Sequence, residues 1–360
     1  MATALVYEER CLRHDNGSMV IDPTAAAWLA VPHAEGAARV ARAFQVLERA
    51  GAANRLERLA ARPAREEELL TVHSAEHVHR IRAADARGEL VWVGEEARVG
   101  PGSWEAALLA AGGALAAVEW VLDGEQRGAY VLTRPPGHHA SAARAMGFCL
   151  FNNVALAARR AQALGLARVA IVDWDVHHGN GTEDVFAADP SVLFVSLHQD
   201  DLYPAGRGRV EDRGTGEGVG ATVNLPLPAG SGDAAYLLAL EQVVVPALEA
   251  FAPEMLLISA GQDAAASDPL GRMSVTSEGF RAMTARLRDW AAERCAGRVL
   301  AIQEGGYSVD HMPFCVLASV EALAGLPPSL AADPIELDVP EAPRPHELAA
   351  IEHARAAVLG

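Results

Sequence analysis

Val169-Ala-Ile-Val172, followed by Asp173-Trp-Asp175-Val-His177-His178, is the most informative stretch of the 360-residue chain. Four apolar, mostly β-branched residues are too few for a helix. They are also too continuous for a half-exposed strand, and such a run belongs to a strand covered on both faces, as in a parallel sheet with crossover helices. Alternate side chains of extended backbone point the same way, so Asp173, Asp175 and His177 start on one side. Trp174 starts on the other, where core packing is its natural place.

The same arrangement recurs along the chain. Ala129–Thr133 leads into Arg134-Pro-Pro-Gly-His138-His139, Val192–Val195 into Ser196-Leu-His198, Met255–Ile258 through Ser-Ala-Gly into Gln262-Asp263, and Val299–Ile302 into Glu304-Gly305-Gly306-Tyr307. Stretches at 36–50, 104–122, 154–164, 234–250 and 278–292 carry apolar residues at three-to-four spacing and predict helices. The alternation predicts an α/β fold, doubly wound or barrel, with a central parallel sheet flanked by helices. Each strand delivers polar or ionisable residues at its C-terminal end, the edge where α/β sheets place ligands, so one shared site is expected. No internal repeat and no central linker interrupts the pattern, which predicts a single domain over residues 1–325. Residues 326–360 form a Pro-rich tail with a short helix over 346–358, running over the surface or against a neighbouring subunit.

Composition narrows the function classes. The chain is 51% hydrophobic and 21% charged, a composition that buries a core. Its formal charge of −17 is the wrong sign for a broad phosphate-backbone contact, so no nucleic-acid partner is expected. Cys11, Cys149, Cys295 and Cys315 form no CxxC pair, which suits a reducing cytoplasm and argues against a thiolate metal cluster. Acidic residues precede any apolar run at the start, so no secretory signal is expected. The most apolar stretch, 106–122, contains Gly112, Gly113 and Glu119 and reads as a buried helix, not a membrane span.

The chemistry suggested by these residue types is metal-assisted hydrolysis. Carboxylates and an imidazole from Asp173, Asp175 and His177, joined by Asp263 from another strand end, suit a divalent ion and leave a position for water. The adjacent His138 and His139, on a stiff Pro-Pro-Gly turn, suit proton transfer. Tyr307, after two glycines, could approach an oxyanion closely. Cys149 reads as a packing residue, because a nucleophilic thiolate would need an exposed electropositive pocket and its own base.

Taken together, Arg134-Pro-Pro-Gly-His-His, Gly147-Phe148-Cys149-Leu-Phe-Asn152-Asn153-Val, Asp173-Trp-Asp-Val-His-His-Gly-Asn-Gly-Thr182, Ser196-Leu-His, Asn224-Leu-Pro-Leu-Pro, Asp268-Pro-Leu-Gly and Glu304-Gly-Gly-Tyr resemble the histone deacetylase superfamily. The likeness is greatest to its class II and bacterial amidohydrolase branches, and it spans residues 30–325. It implies an arginase/deacetylase-type fold and one catalytic zinc on Asp175, His177 and Asp263. It implies tandem histidines His138 and His139, paired with Asp173 and Asn180, and Tyr307 as the carbonyl-polarising hydroxyl. Gly147, Phe148, Tyr203 and Gly305 would contact substrate, with Leu270 at the tunnel mouth. A structural potassium would sit by the backbone of Asp173, Asp175, His177 and Leu197 and the Ser196 hydroxyl, and a second by the carbonyls of Phe186, Asp189 and Val192.

Two features depart from the family pattern: Gln262 stands where an aromatic or small apolar residue is usual, and Pro32-His33-Ala34-Glu35 only loosely matches the His-Pro-Glu block of the first loop. The resemblance implies an amidohydrolase acting on acyl-lysine or a small N-acyl amine, and a cytoplasmic homo-oligomer with no membrane partner is expected. Acetylpolyamine hydrolysis uses the same machinery and is the alternative. An arginase-like ureohydrolase would need a second metal-ligand set, and a non-catalytic acyl-lysine-binding module would have no use for both histidines and Tyr307.

Overall fold

The computed structural model describes residues 2–19, 28–29, 31–336 and 339–359, so the part of the first loop from Asp22 to 27 lies outside the described residues. Eight strands form the main sheet. They are β1 (Ala2–Tyr7), β2 (Glu57–Leu59), β3 (Arg127–Leu132), β4 (Val169–Asp173), β5 (Val192–Gln199), β6 (Thr222–Leu227), β7 (Met255–Ala260) and β8 (Val299–Gln303). They lie in the order β6-β5-β4-β7-β8-β3-β1-β2, every pair parallel. The apolar runs singled out in the sequence are the contiguous centre of this sheet.

The strands not expected from the sequence flank that centre. β2 is short and largely exposed, and β6 carries Pro226, which an edge strand tolerates because one side of its ladder is unpaired. β1, Ala-Thr-Ala-Leu-Val-Tyr, lies between β3 and β2 and is too weakly apolar at its start to stand out.

Side chains alternate between two apolar cores. Leu5, Tyr130, Ala170 and Val172 face one, with helices α1 (Ala37–Arg49), α5 (Asp233–Phe251), α6 (Ser277–Arg294) and α7 (Met312–Ala324). Ala4, Val6, Val131 and Ile171 face the other, with α2 (Ser103–Leu122) and α3 (Asn153–Ala163). Helices α2 and α5 are long and apolar enough to cross a membrane, but Ala107, Ala111, Ala114, Leu115, Val118 and Val121 of α2 are buried in this second core. Gly112 is obligatory there, because a Cβ would lie 1.7 Å from the Arg62 carbonyl oxygen. A short helix, α4 (Asn180–Phe186), follows β4 and carries part of the site.

The Pro-rich tail ends in α8 (Pro345–Leu359), which packs on β6 and the middle of α5 of its own chain. Ile351 and Ala354 join the first core.

Candidate active site

All the ionisable groups expected at strand ends meet at the C-terminal edge of the sheet. Asp173 ends β4, with Asp175 and His177 just beyond it; Asp263 follows β7, His138 and His139 follow β3, and Tyr307 follows β8. Asp175, His177 and Asp263 each offer one ligand atom, all within 4.8 Å of one another, and all three residues are buried. His177 Nδ1 lies 3.0 Å from Asp175 Oδ1 and 3.2 Å from Asp263 Oδ2. The outer oxygens are held by backbone: Gly305 N–H donates to Asp175 Oδ2 at 2.8 Å, and Val176 N–H donates to Asp263 Oδ1 at 2.8 Å.

Asp263 Oδ2 is buried and, with His177 Nδ1 3.2 Å away, makes no well-aligned hydrogen bond among the described residues. A buried carboxylate oxygen left without one costs several kcal/mol. Burial and the nearby Asp175 push the Asp263 carboxyl up to about 7. Two buried carboxylates facing one imidazole are an oxygen and nitrogen donor set of the kind that holds a divalent cation, so the residues fit a metal.

The two histidines are held in different electrostatic surroundings. His138 Nδ1 is 2.9 Å from Asp173 Oδ2, and its Nε2 is 3.7 Å from Asp175 Oδ1. Burial lowers its pKa, but Asp175 and Asp173 outweigh that and hold it up at about 10. His139 Nδ1 donates to Asn180 Oδ1 at 2.7 Å, and burial, then His138 and His177, depress it well below the usual imidazole value. A charged and a neutral imidazole thus stand side by side, ring centroids 4.0 Å apart.

A cavity of about 280 Å³ leads down to this cluster, lined at depth by His139, His177, Gly147, Phe148, Tyr203 and Tyr307. Leu270 and Glu96 also line it, and Glu96 sits in a left-handed turn at φ 50°. That turn holds the wall, since the carbonyls of Glu95 and Glu96 accept the N–H groups of Gly147 and Phe148. Phe148 itself has φ 66°, a region costing an L-residue roughly 1–2 kcal/mol. Its ring packs edge-on to Tyr307 and His33.

Gly305 lies behind the carboxylates and is not among the cavity-lining residues; a Cβ there would lie 2.0 Å from Asp263 Oδ2. Burial raises the Cys149 thiol well above its ordinary range, and it donates to the Gly147 carbonyl, as a packing residue would. Trp174 is buried in the core. Ser196 stands in register with Asp173 across β5 and β4, so the residues expected around the first potassium are neighbours. At the second, the Phe186 carbonyl accepts from Asp189 N–H and the Asp189 carbonyl from Val192 N–H.

Sequence reasoning missed Met19, Trp92, Arg98 and Leu202 in the cavity wall. Only Trp92, alternating with Val91 and Val93, carried any signal, that of a half-exposed strand. It also gave no role to Asp268, whose Oδ2 accepts the N–H groups of Tyr307 (2.6 Å) and Ser308 (3.1 Å) while Oδ1 accepts that of Leu270 (2.9 Å).

The unusual Gln262 has its own partners. Its Nε2 donates to the Tyr130 hydroxyl at 3.2 Å, that hydroxyl donates to Gln303 Oε1 at 2.8 Å, and Gln303 Nε2 returns to Gln262 Oε1 at 2.6 Å and also reaches the Gly305 carbonyl at 2.8 Å. This closed buried ring ties the Asp263 loop to the Gly305 loop. Gln262→Leu opens it and should cost about 1–3 kcal/mol, seen as a lower urea midpoint at unchanged slope. An unchanged midpoint would mean that the ring contributes nothing.

The chain matches a family model for the histone deacetylase domain over residues 33–323. It is 44% identical over 350 residues to the histone deacetylase-like amidohydrolase of Pseudomonas aeruginosa, covering 94% of this chain and 91% of that protein. It is 39% identical over 338 residues to histone deacetylase 8 of Arabidopsis thaliana, covering 91% and 89%. Human polyamine deacetylase HDAC10 is 40% identical over 373 residues, covering 99% of this chain and 52% of that protein. The crystal structure of the HDA15 HD domain superposes with a TM-score of 0.88 at 35% identity, covering 99% of this chain and 94% of that one. With its parallel sheet and strand-end cluster, the chain belongs to the histone deacetylase family of deacetylases and amidohydrolases.

Proposed function

We propose that the protein is a zinc-dependent deacetylase that hydrolyses the acyl amide of acyl-lysine or a related small N-acyl amine by attack of water. The observation that carries this reading is the buried Asp175, His177 and Asp263 cluster, with ligand atoms within 4.8 Å of one another, at a cavity that His177, His139 and Tyr307 line. One nitrogen and two carboxylate ligands suit zinc with an open position. Zinc on Asp175, His177 and Asp263 supplies Lewis acidity to an amide carbonyl and to an attacking water.

The chain's own groups do the rest. His139 donates through Nδ1 to Asn180, so its Nε2 is the basic nitrogen, and its depressed pKa keeps it free near neutral pH. It takes the proton of the attacking water and returns one to the leaving amine. His138 is not among the cavity-lining residues; held charged between Asp173 and Asp175, it acts through its positive field. Tyr307, whose phenol burial keeps protonated, donates to the oxyanion. Potassium beside Ser196 and the Asp173 backbone, and near Phe186, Asp189 and Val192, would brace the same loops.

Leu270 in the cavity wall offers no partner to a second ammonium, which supports acyl-lysine or a neutral amide as substrate. Acetylpolyamine is the second reading, favoured by Glu96 in the same wall and by the similarity to a polyamine deacetylase. A turnover panel of acyl-lysine peptides, acetylpolyamines and small amides on zinc-loaded protein separates them. Wild type should prefer acyl-lysine, and Leu270→Glu should shift kcat/KM toward acetylspermidine by about 10-fold or more, since a charge-assisted bond is worth ~1.5–3 kcal/mol. A wild type that already prefers acetylpolyamine would put the choice with Glu96 instead.

A further inference from the structure

We infer that Glu304 is a positioning residue for this hydrolysis, its buried carboxylate clamping the tandem-histidine loop against the loop that carries Tyr307. The inference rests on the deacetylase reading above. Glu304 is fully buried and is not among the cavity-lining residues, so it does not meet substrate. Its Oε2 accepts two consecutive backbone N–H groups, Gly137 at 2.6 Å and His138 at 3.1 Å. Successive amides converging on one carboxylate oxygen form a nest, and they favour its charged form against the burial that raises the Glu304 carboxyl to about 7. Among the described residues its other oxygen has only the Ser259 hydroxyl, at 3.5 Å.

The backbone of the same residue is bonded to two further segments. Glu304 N–H donates to the Ala260 carbonyl, and its own carbonyl accepts from Arg39 Nη1 at 2.9 Å. The next residue, Gly305, donates to Asp175 Oδ2, and Tyr307 follows two residues later. One side chain therefore joins three chemical components: the histidine loop directly, Asp175 through Gly305, and Tyr307 through the Gly305–Gly306 lead. The histidine loop is closed from its other side as well, because a Cβ on Gly137 would lie 2.5 Å from Asn153 N and 2.8 Å from the Phe151 carbonyl oxygen. With α3 on one side and Glu304 on the other, the loop has one place to sit.

A carboxylate has a use here that an amide lacks. A glutamine in its place could offer one oxygen to these amides, but its NH₂ has to be placed in the same buried space, where Ser259 is the other hydrogen-bonding side chain in reach. One loop amide would lose its charged acceptor and the loop would relax. Misplacing reacting groups by about 1 Å costs roughly 10²-fold in rate, and binding of the acyl chain along Phe148 and Tyr203 would not register it.

The experiment compares wild type with Glu304→Gln and Glu304→Asp as zinc-loaded proteins. The Gln variant should keep one zinc and cooperative unfolding, with kcat down roughly 10- to 100-fold and KM within about 2-fold. Asp keeps the charge but is one methylene short, and should recover less than half of the lost rate. Backbone amide exchange at Gly137 and His138 should quicken in both variants, a readout that needs no turnover. Unchanged kcat, or a kcat loss explained by lost zinc or raised KM, would overturn the clamp; so would unaltered exchange at the two amides. If wild type turns over no acyl-lysine peptide, acetylpolyamine or small amide, the deacetylase reading fails, and the exchange result still judges the clamp by itself.

Discussion

Asp263→Ala and Asp263→Asn are both expected to lose zinc and, with it, roughly 10³-fold or more of kcat/KM, since a Lewis acid supplies several kcal/mol to the transition state. The two variants differ in what else they remove. Asp263 Oδ1 accepts the Val176 N–H at 2.8 Å, a bond that Asn can keep and Ala cannot. Asp263 Oδ2 makes no well-aligned hydrogen bond among the described residues, and His177 Nδ1, 3.2 Å away, keeps Asp175 Oδ1 at 3.0 Å when that oxygen is replaced. The Asn variant should therefore fold as wild type does and lack only metal. Metal analysis after dialysis against excess zinc reads the result, and a hydroxamate that binds wild type tightly should bind neither variant. Full zinc occupancy in the Asn variant would remove Asp263 from the ligand set.

The centre of the sheet was legible because burial on both faces forces continuous apolar runs, and β3, β4, β5, β7 and β8 all carry one. β2 and β6 lie at the edges, where one side of the ladder is free and the pattern relaxes into Glu57-Arg-Leu and a strand holding Pro226. The helix at 346–358 was visible from its composition, whereas its docking on β6 was not. That contact joins segments more than a hundred residues apart and rests on a few apolar residues such as Ile351 and Ala354.

For the site the division is similar. His138, His139, Asp175, His177, Asp263 and Tyr307 were legible because charged residues immediately after buried strands have few other uses. Arg134 and Glu35 stood in quoted motifs without a role, and they form a fully buried pair, with Arg134 Nε and Nη2 donating to the two Glu35 carboxylate oxygens at 2.9 and 2.8 Å. Arg39 donates to the same carboxylate at 3.2 Å, so two guanidiniums share one acid and pin the first loop beneath the site. Such a pairing spans about a hundred residues and leaves no spacing signature in the chain. The looseness of Pro32-His33-Ala34-Glu35 as a motif does not extend to its acid: the Glu35 carboxyl is held low, at about 2, because the two arginines outweigh burial. Gln262 looked like a defect because its partners, Tyr130 and Gln303, come from strands β3 and β8 and meet only in the folded sheet.

Tyr307→Phe should lower kcat by roughly 10²-fold or more with little change in KM, the pattern of a group that bonds only the transition state. The geometry makes this a clean deletion. Asp268 holds the Tyr307 backbone N–H at 2.6 Å, and the ring is fixed by Phe148, with centroids 5.8 Å apart, and by the Arg39 guanidinium 5.5 Å from its centre. None of these contacts uses the hydroxyl, which forms no protein hydrogen bond among the described residues, so the phenylalanine ring should stay in place and the unfolding midpoint should hardly move. Burial, then Asp175 and Asp263, raise the phenol pKa well above its usual value, so the donor is present across the neutral and alkaline range. The acid side of the pH profile belongs to His139, whose pKa is depressed. With the metal holding Asp263 ionised, activity should therefore be retained below the ordinary imidazole pKa and fall as His139 takes up a proton, in wild type and in the Phe variant alike. Equal kcat in the two proteins would leave the metal as the sole polariser of the carbonyl, and a parallel rise in KM would make Tyr307 a binding residue instead.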